Sequence, residues 1–305
     1  MNALQNLYTM LITMMILLLA GFFWTKKGLL STEVRKKLSD LILLFVLPCN
    51  ILKSFMIRMD IQILLDCGMI LLMSFGIQLL SIFLGHAAYG RKDDRQRAVL
   101  QYGLQVSNAG FLGNPVMEGM YGAQGLLYAS IYLIPLRILM WSVGISCFTG
   151  RSGKGVLKRI LTHPCIIATV IGLVVMIGGI TPPNWISKPI QLVAGCNTAL
   201  SLLVVGGALA ELDPRHLFNR HAVGFCVLRL LVIPLAALAV CMLLGTETMV
   251  SHTAVILAGM PAPMTAVMLS TQYDKDVELS VSLIFLSTLL SMATIPLLSI
   301  LITYL

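Results

Sequence analysis

The chain has 305 residues, of which 58% are hydrophobic and only 11% charged, well below the roughly one-quarter charged share of soluble domains. That excludes water as its main solvent and leaves no room for a separate soluble domain. The formal net charge of +8 would suit nucleic acid if the cations covered a surface, but they gather in short segments between apolar runs, so the charge is a matter of topology and no nucleic-acid partner is expected.

In chain order, apolar windows and their polar breaks predict about ten transmembrane helices, near 4–24, 38–57, 63–89, 97–120, 123–148, 164–181, 187–210, 219–244, 250–271 and 279–303. Lipid satisfies no open backbone group, and runs this continuously apolar are not the alternating strands of a barrel, so the expected fold is an all-α membrane protein. The first run lacks a basic leading segment and a small-residue cleavage site, and Lys26 and Lys27 follow it. It is expected to remain as span 1.

Lys26, Lys27, Arg35, Lys36 and Lys37 follow span 1; Arg91, Lys92, Arg95 and Arg97 follow span 3; Arg151, Lys154, Lys158 and Arg159 follow span 5. Loops after even spans hold only Arg58 and Lys188, with Lys53 at the edge of span 2. The positive-inside rule therefore places the odd loops in the cytoplasm and both termini outside a bacterial cytoplasmic (inner) membrane. A basic cytoplasmic linker, 150–163, separates a first five-helix repeat, 1–149, from a second, 164–305. Five spans per half means that related halves would enter the membrane in opposite directions, the five-plus-five inverted repeat of many secondary transporters. Asn50 in span 2 and Asn197 in span 7 hold corresponding places, as do Pro115 in span 4 and Pro261 or Pro263 in span 9.

Cys49, Cys67, Cys147, Cys165, Cys196, Cys226 and Cys241 stand singly in or beside apolar segments, without C-x-x-C spacing, and read as small packing residues. The sequence carries no H-E-x-x-H, G-x-S-x-G or nucleotide-binding loop. Neither an enzyme nor a pump with its own ATPase is expected, and no cofactor or metal is implied.

The segment S-N-A-G-F-L-G-N-P, Ser107 to Pro115, interrupts span 4. Gly110 and Gly113 loosen the backbone, and Pro115 lacks an amide donor and clashes with the preceding turn, so the helix is expected to break within Asn108–Pro115. Asn108 and Asn114 would then face freed carbonyls or a ligand, and Gln101, Gln105 and Asn108 fall at i, i+4 and i+7 along one face. Span 9 carries a counterpart, A-G-M-P-A-P-M-T, ending at Thr265. Broken helices at membrane depth survive only where protein or a watery cavity covers them, and the half-helix starting after each break offers amide donors to an anion. Span 10 bears a hydroxyl row, Ser280, Ser287, Ser291 and Thr294, suited to bonding between helices. Two arginines, Arg137 in span 5 and Arg229 in span 8, lie inside apolar sequence with no mid-span carboxylate to balance them. An anionic substrate could balance Arg137, and Arg229 is close enough to Arg220 to reach the cytoplasmic face along its own stem.

These residues resemble the auxin efflux carrier family of membrane transporters, which includes plant auxin exporters and bacterial malate and malonate carriers. The likeness covers nearly the whole chain: L-P-C-N-I-L-K-S-F in span 2, S-N-A-G-F-L-G-N-P followed by Tyr121 and Gly122, R-L-L-V-I-P in span 8, and M-P-A-P with S-T-L-L-S-M-A-T-I-P-L in spans 9 and 10. The resemblance implies a bile-acid-symporter-like inverted repeat whose two broken crossover helices, spans 4 and 9, meet at their prolines and bind an anion there. Spans 1, 2, 6 and 7 would be the scaffold and the face of a homodimer; spans 3–5 and 8–10 would be the moving core. Arg137 stands where many relatives carry Asn, and Thr265 where Asn is frequent, two departures that bear on substrate choice.

The expected function is a secondary transporter of a small mono- or dicarboxylate working by elevator-type alternating access. Its candidate binding residues are Asn108, Asn114, Pro115, Pro261, Pro263, Thr265, Arg137, Gln105, Asn50 and Asn197. H⁺, Na⁺ or the membrane potential could drive it, the last contributing ~2.3 kcal/mol per charge per 100 mV. The alternative is a membrane-embedded sensor or channel that binds a similar ligand without carrying it.

Overall fold

The computed structural model describes residues 3–56, 60–149, 162, 164–210, 220–263 and 265–304. Arg58 and almost all of the basic linker, including its four cations, lie outside the described residues. The described secondary structure is helical throughout, and the protein is an all-α membrane protein. Among the described residues, five helical stretches are long and apolar enough to cross a membrane: Ile61–Tyr89, Asp94–Leu139, Asn184–Ala210, Arg220–Leu244 and Val277–Tyr304.

The chain forms two compact units, each drawn from both halves of the sequence. The first comprises Met1–Cys67, Asn114–Ile131 and Leu161–Leu212; the second comprises Gly68–Gly113, Tyr132–Ile160 and Asp213–Leu305.

In the first unit, α1 (Ala3–Lys26) packs along α10 (Asn197–Ala210). Small residues allow this: a Cβ on Gly21 would stand 2.2 Å from the Leu203 carbonyl oxygen, and one on Gly206 would stand 2.0 Å from that of Leu18. Two backbones in contact gain dispersion energy along their length, the main source of helix association where lipid supplies no hydrophobic drive. Ser31 caps α2 (Thr32–Leu41), accepting the Val34 amide at 3.4 Å. Arg35 on α2, one of the topology cations, is buried and donates to the Gly207 carbonyl at 2.7 Å. α3 (Leu47–Ser54) packs on α8 (Pro164–Ile177) and α9 (Asn184–Gly195).

The second unit holds most of α4 (Ile61–Tyr89), all of α5 (Asp94–Gln105), the later part of α6 (Asn114–Leu139), and α7 (Ile145–Thr149). It continues with α11 (Arg220–Val227), α12 (Ile233–Leu244), α13 (Thr248–Ala258), α14 (Thr265–Gln272) and α15 (Val277–Tyr304). Leu72, Phe75, Leu79 and Phe83 form an exposed apolar stripe down α4, suited to lipid. Within α6, Gly122 takes φ 62° and ψ −142°, a conformation closed to residues with a Cβ. It separates the end of predicted span 4 from span 5.

Three prolines follow the same local rule. Pro48, Pro115 and Pro234 each occupy the second position of a helix, and each helix is preceded by a π-helical turn: Ile42–Val46, Ala109–Gly113 and Leu228–Val232. The residue before two of these prolines bonds five back, Leu47 N–H to Ile42 O and Ile233 N–H to Leu228 O. A wider turn moves the preceding carbonyls away from the pyrrolidine ring, so a proline that would break an α-helix is absorbed with the chain still helical.

Candidate functional site

The interruption in span 4 is not centred on Pro115 of the expected Asn108–Pro115 segment, because the π-helical turn accommodates that ring. It falls earlier. α5 ends at Gln105, Val106 is extended (φ −116°, ψ 140°), and helical structure resumes at Ala109. Asn108 therefore lies beyond the helix and does not continue the face of Gln101 and Gln105. In span 9, α13 stops at Ala258, residues 259–263 are non-helical, and α14 begins at Thr265.

Within the second unit these two interruptions meet, and the first takes a backbone partner from the second. In a continuous helix the Asn108 amide would bond the Leu104 carbonyl. Here Asn108 N–H donates instead to the Pro261 carbonyl at 2.8 Å, which leaves Leu104 O open. Arg229, only 2% exposed, fills that vacancy: Nη1 donates to Leu104 O at 2.7 Å and Nε donates to Met260 O at 2.9 Å. One guanidinium thus ties the end of α5 to the break after α13. On the far side of the span 9 break, Ala262 N–H donates to Ser287 Oγ at 3.0 Å, and the Tyr102 hydroxyl lies 2.7 Å from Thr265 Oγ1. A buried amide or carbonyl without a partner costs several kcal/mol in hydrocarbon (order of magnitude), so this pairing is what makes two broken spans tolerable.

Arg229 therefore does not reach for the cytoplasmic face; it turns inward to carbonyls that only the folded crossing supplies. The span 10 hydroxyls likewise divide by role. Ser287 accepts from the break, Ser280 Oγ lies 2.5 Å from Ser270 Oγ on α14, and Ser291 donates to Thr288 O of its own helix at 2.7 Å.

At the crossing, three buried groups have no hydrogen-bond partner among the described residues: Gln105 Nε2, Ser107 Oγ and Asn108 Nδ2. Two are amide donors and one is a hydroxyl that can donate. Gln105 Oε1 faces Cys147 Sγ at 3.6 Å, which leaves the nitrogen end of that amide open. Gln101 is drawn off to the Gly85 carbonyl at 3.4 Å. Arg137 is buried in the same unit.

Asn50, Asn114, Pro115 and Asn197 belong to the first unit. All three asparagines are fully buried; both amide atoms of Asn50 and Asn114, and Nδ2 of Asn197, lack partners among the described residues. Ser201 Oγ reaches Asn197 Oδ1 at 3.5 Å. The same unit holds two polar pairings at span ends, the half-buried Lys53 Nζ with Glu118 Oε1 at 2.8 Å and the buried Tyr128 Oη with Asp66 Oδ2 at 2.6 Å. Among the described residues no group of His, Cys, Asp and Glu is placed to hold a metal ion.

Known proteins set this arrangement in context. The sequence matches the family profile described as membrane transport protein over residues 7–160 and 151–299. An uncharacterized transporter of Methanothermobacter thermautotrophicus is 27% identical over 297 residues, covering 95% of this chain and 96% of that protein. An uncharacterized transporter of Methanocaldococcus jannaschii is 25% identical over 296 residues, 93% and 94% of the two chains. The uncharacterized transporter YfdV of Escherichia coli K12 is 22% identical over 304 residues, 94% and 95%. With a transporter family matched along almost its entire length, the chain is an integral membrane protein that belongs to the membrane transport protein (auxin efflux carrier) family.

Proposed function

We propose that this transporter carries a small organic anion, a mono- or dicarboxylate, and binds it at the crossing of the two broken spans. The observation that carries the reading is the set of unpartnered donors, Gln105 Nε2, Ser107 Oγ and Asn108 Nδ2, beside a buried arginine. Donors without acceptors are costly in a membrane interior, and a carboxylate has four lone-pair sites to satisfy them. A cation would need the reverse, converging oxygens. Asn50, Asn114 and Asn197 are proposed as further binding residues, with Arg137 and Thr265 adjusting substrate choice.

The proposed cycle is an elevator: spans 3–5 and 8–10, which hold the crossing, expose the anion first to one side and then to the other, while spans 1, 2, 6 and 7 remain the fixed scaffold and dimer face. The proposed orientation keeps both termini outside and the basic linker in the cytoplasm.

The test is exchange in proteoliposomes. Labelled malonate, malate or acetate should enter faster when unlabelled carboxylate is loaded inside, because a carrier returns more quickly with its site filled. Saturable flux without trans-stimulation would identify a channel, and binding without flux a sensor.

A further inference from the structure

Arg229 bridges two backbone carbonyls, Met260 O and Leu104 O. That task does not require a charge. A neutral amide side chain also donates to carbonyl oxygens, and it would avoid placing a cation inside a membrane-spanning segment. Arg229 stands in the π-helical turn Leu228–Val232, within the apolar stretch Arg220–Leu244. No carboxylate lies within ion-pair distance of it among the described residues. Its two recorded acceptors are backbone carbonyls, whose partial negative charges do not cancel a full positive one. Leu104, which accepts from Nη1, immediately precedes Gln105 and stands four residues before Asn108. The excess charge is thus built into the same few residues that present the unpartnered donors.

We propose that Arg229 is a specificity-determining and positioning residue: it fixes the two chain breaks in register and supplies the standing positive charge that makes the crossing prefer anions, and dianions over monoanions. The inference rests on the anion-carrier reading and sharpens it. The carbonyl ends of the broken helices would by themselves attract a cation. By occupying them, the guanidinium hides those oxygens from a competing cation and reverses the sign of the local field. The arginine acts through the field and through the placement of Asn108, whether or not it touches the substrate.

The test uses the purified full chain in detergent, with thermal stabilisation by acetate, malonate and the neutral malonamide as the readout. Wild type is compared with Arg229→Gln and Arg229→Lys. Wild type should respond to malonate more strongly than to acetate and not at all to malonamide. Arg229→Gln should weaken malonate by about tenfold or more and acetate by less, because Coulomb attraction scales with ligand charge. Arg229→Lys should restore most of the malonate preference while lowering the unliganded unfolding temperature, since an ammonium cannot span both carbonyls as a planar fork does. A merely structural arginine would weaken all ligands alike. Equal loss for both acids, or malonate affinity unchanged in Arg229→Gln, overturns the proposal alone. Should Arg229→Gln not fold, a folded Arg229→Lys without the malonate preference overturns it equally. No response of wild type to any carboxylate overturns the anion-carrier reading and this proposal with it.

Discussion

The broken spans and the continuous ones solve the same solvent problem in opposite ways. In an apolar 18-residue window of Asp94–Leu139, the stretch that contains the first break, 72% of residues are buried inside the protein; in such a window of Ile61–Tyr89 the share is 39%. Every residue of α13 from Val250 to Ala258 is buried, up to the second break. A continuous helix closes its own backbone bonds and can leave a stripe such as Leu72, Phe75, Leu79 and Phe83 to lipid. A broken one must find partners in neighbouring protein, and here it finds them in Pro261 O, Ser287 Oγ and the Arg229 guanidinium. The difference teaches where function can reside: the continuous helices are held by shape, whereas the broken ones are held by polar groups whose pairing a ligand can share.

The largest expected effect tests the shape half of this contrast. Gly206→Val would place a Cβ 2.0 Å from the Leu18 carbonyl oxygen, against backbone that cannot rotate away. Separating α1 from α10 should cost about 3 kcal/mol, seen as a large drop in the unfolding temperature. Carboxylate binding per folded molecule should survive. A stable Gly206→Val protein would show that close backbone contact is not what holds the first unit together.

Asn108→Ala tests the polar half and should do the reverse. Its backbone bond to Pro261 is kept, while the unpartnered Nδ2 is removed. Carboxylate affinity should fall about 10- to 100-fold, the value of a hydrogen bond to a charged group, with little change in unliganded stability. Unimpaired binding in this variant would move the site away from the crossing.

Ser287→Ala and Ser291→Ala, one helical turn apart on α15, sharpen the contrast on a smaller scale. The first deprives the Ala262 amide of its acceptor and should cost about 1–3 kcal/mol. The second removes a bond to the helix's own Thr288 carbonyl and should stay within about 0.5 kcal/mol. Unfolding in detergent, with hydrogen exchange at Ala262, would separate them.

Much of this was legible in the sequence, for reasons that also explain where legibility stopped. Apolar run length is a local property set by bilayer thickness, so spans such as 63–89, found as Ile61–Tyr89, follow from counting. The region of each break followed from Gly and Pro content. Its position in span 4 did not, because a π-helical turn before Pro115 depends on how the chain widens and not on proline itself. Arg229 was misplaced for a related reason: distance along a helix indicates a route to water, but not that a crossing 31 residues further on presents the Met260 carbonyl. Ser287 was visible as one hydroxyl in a row, yet only its contact distinguishes it from Ser291. Tyr102 gave no signal, since a tyrosine in an apolar span looks like packing until its hydroxyl meets Thr265.

The smallest effect concerns the charges at the ends of the spans, which belong to neither kind of helix packing. Arg95 and Asp274 pair at 2.8 Å with side chains 60% and 96% exposed, whereas Lys53 and Glu118 pair at the same distance with 30% and 22% exposed. Water and salt screen the first pair almost completely, so Arg95→Gln should change stability by no more than about 0.5 kcal/mol at any ionic strength. The second pair is partly withdrawn from solvent, and Lys53→Met should cost up to about 1 kcal/mol, again after allowing for screening. Unfolding temperatures at low and high salt would compare them. A large, salt-sensitive loss from Arg95→Gln would mean that interfacial charge, and not the buried pairing at the breaks, holds the second unit in place.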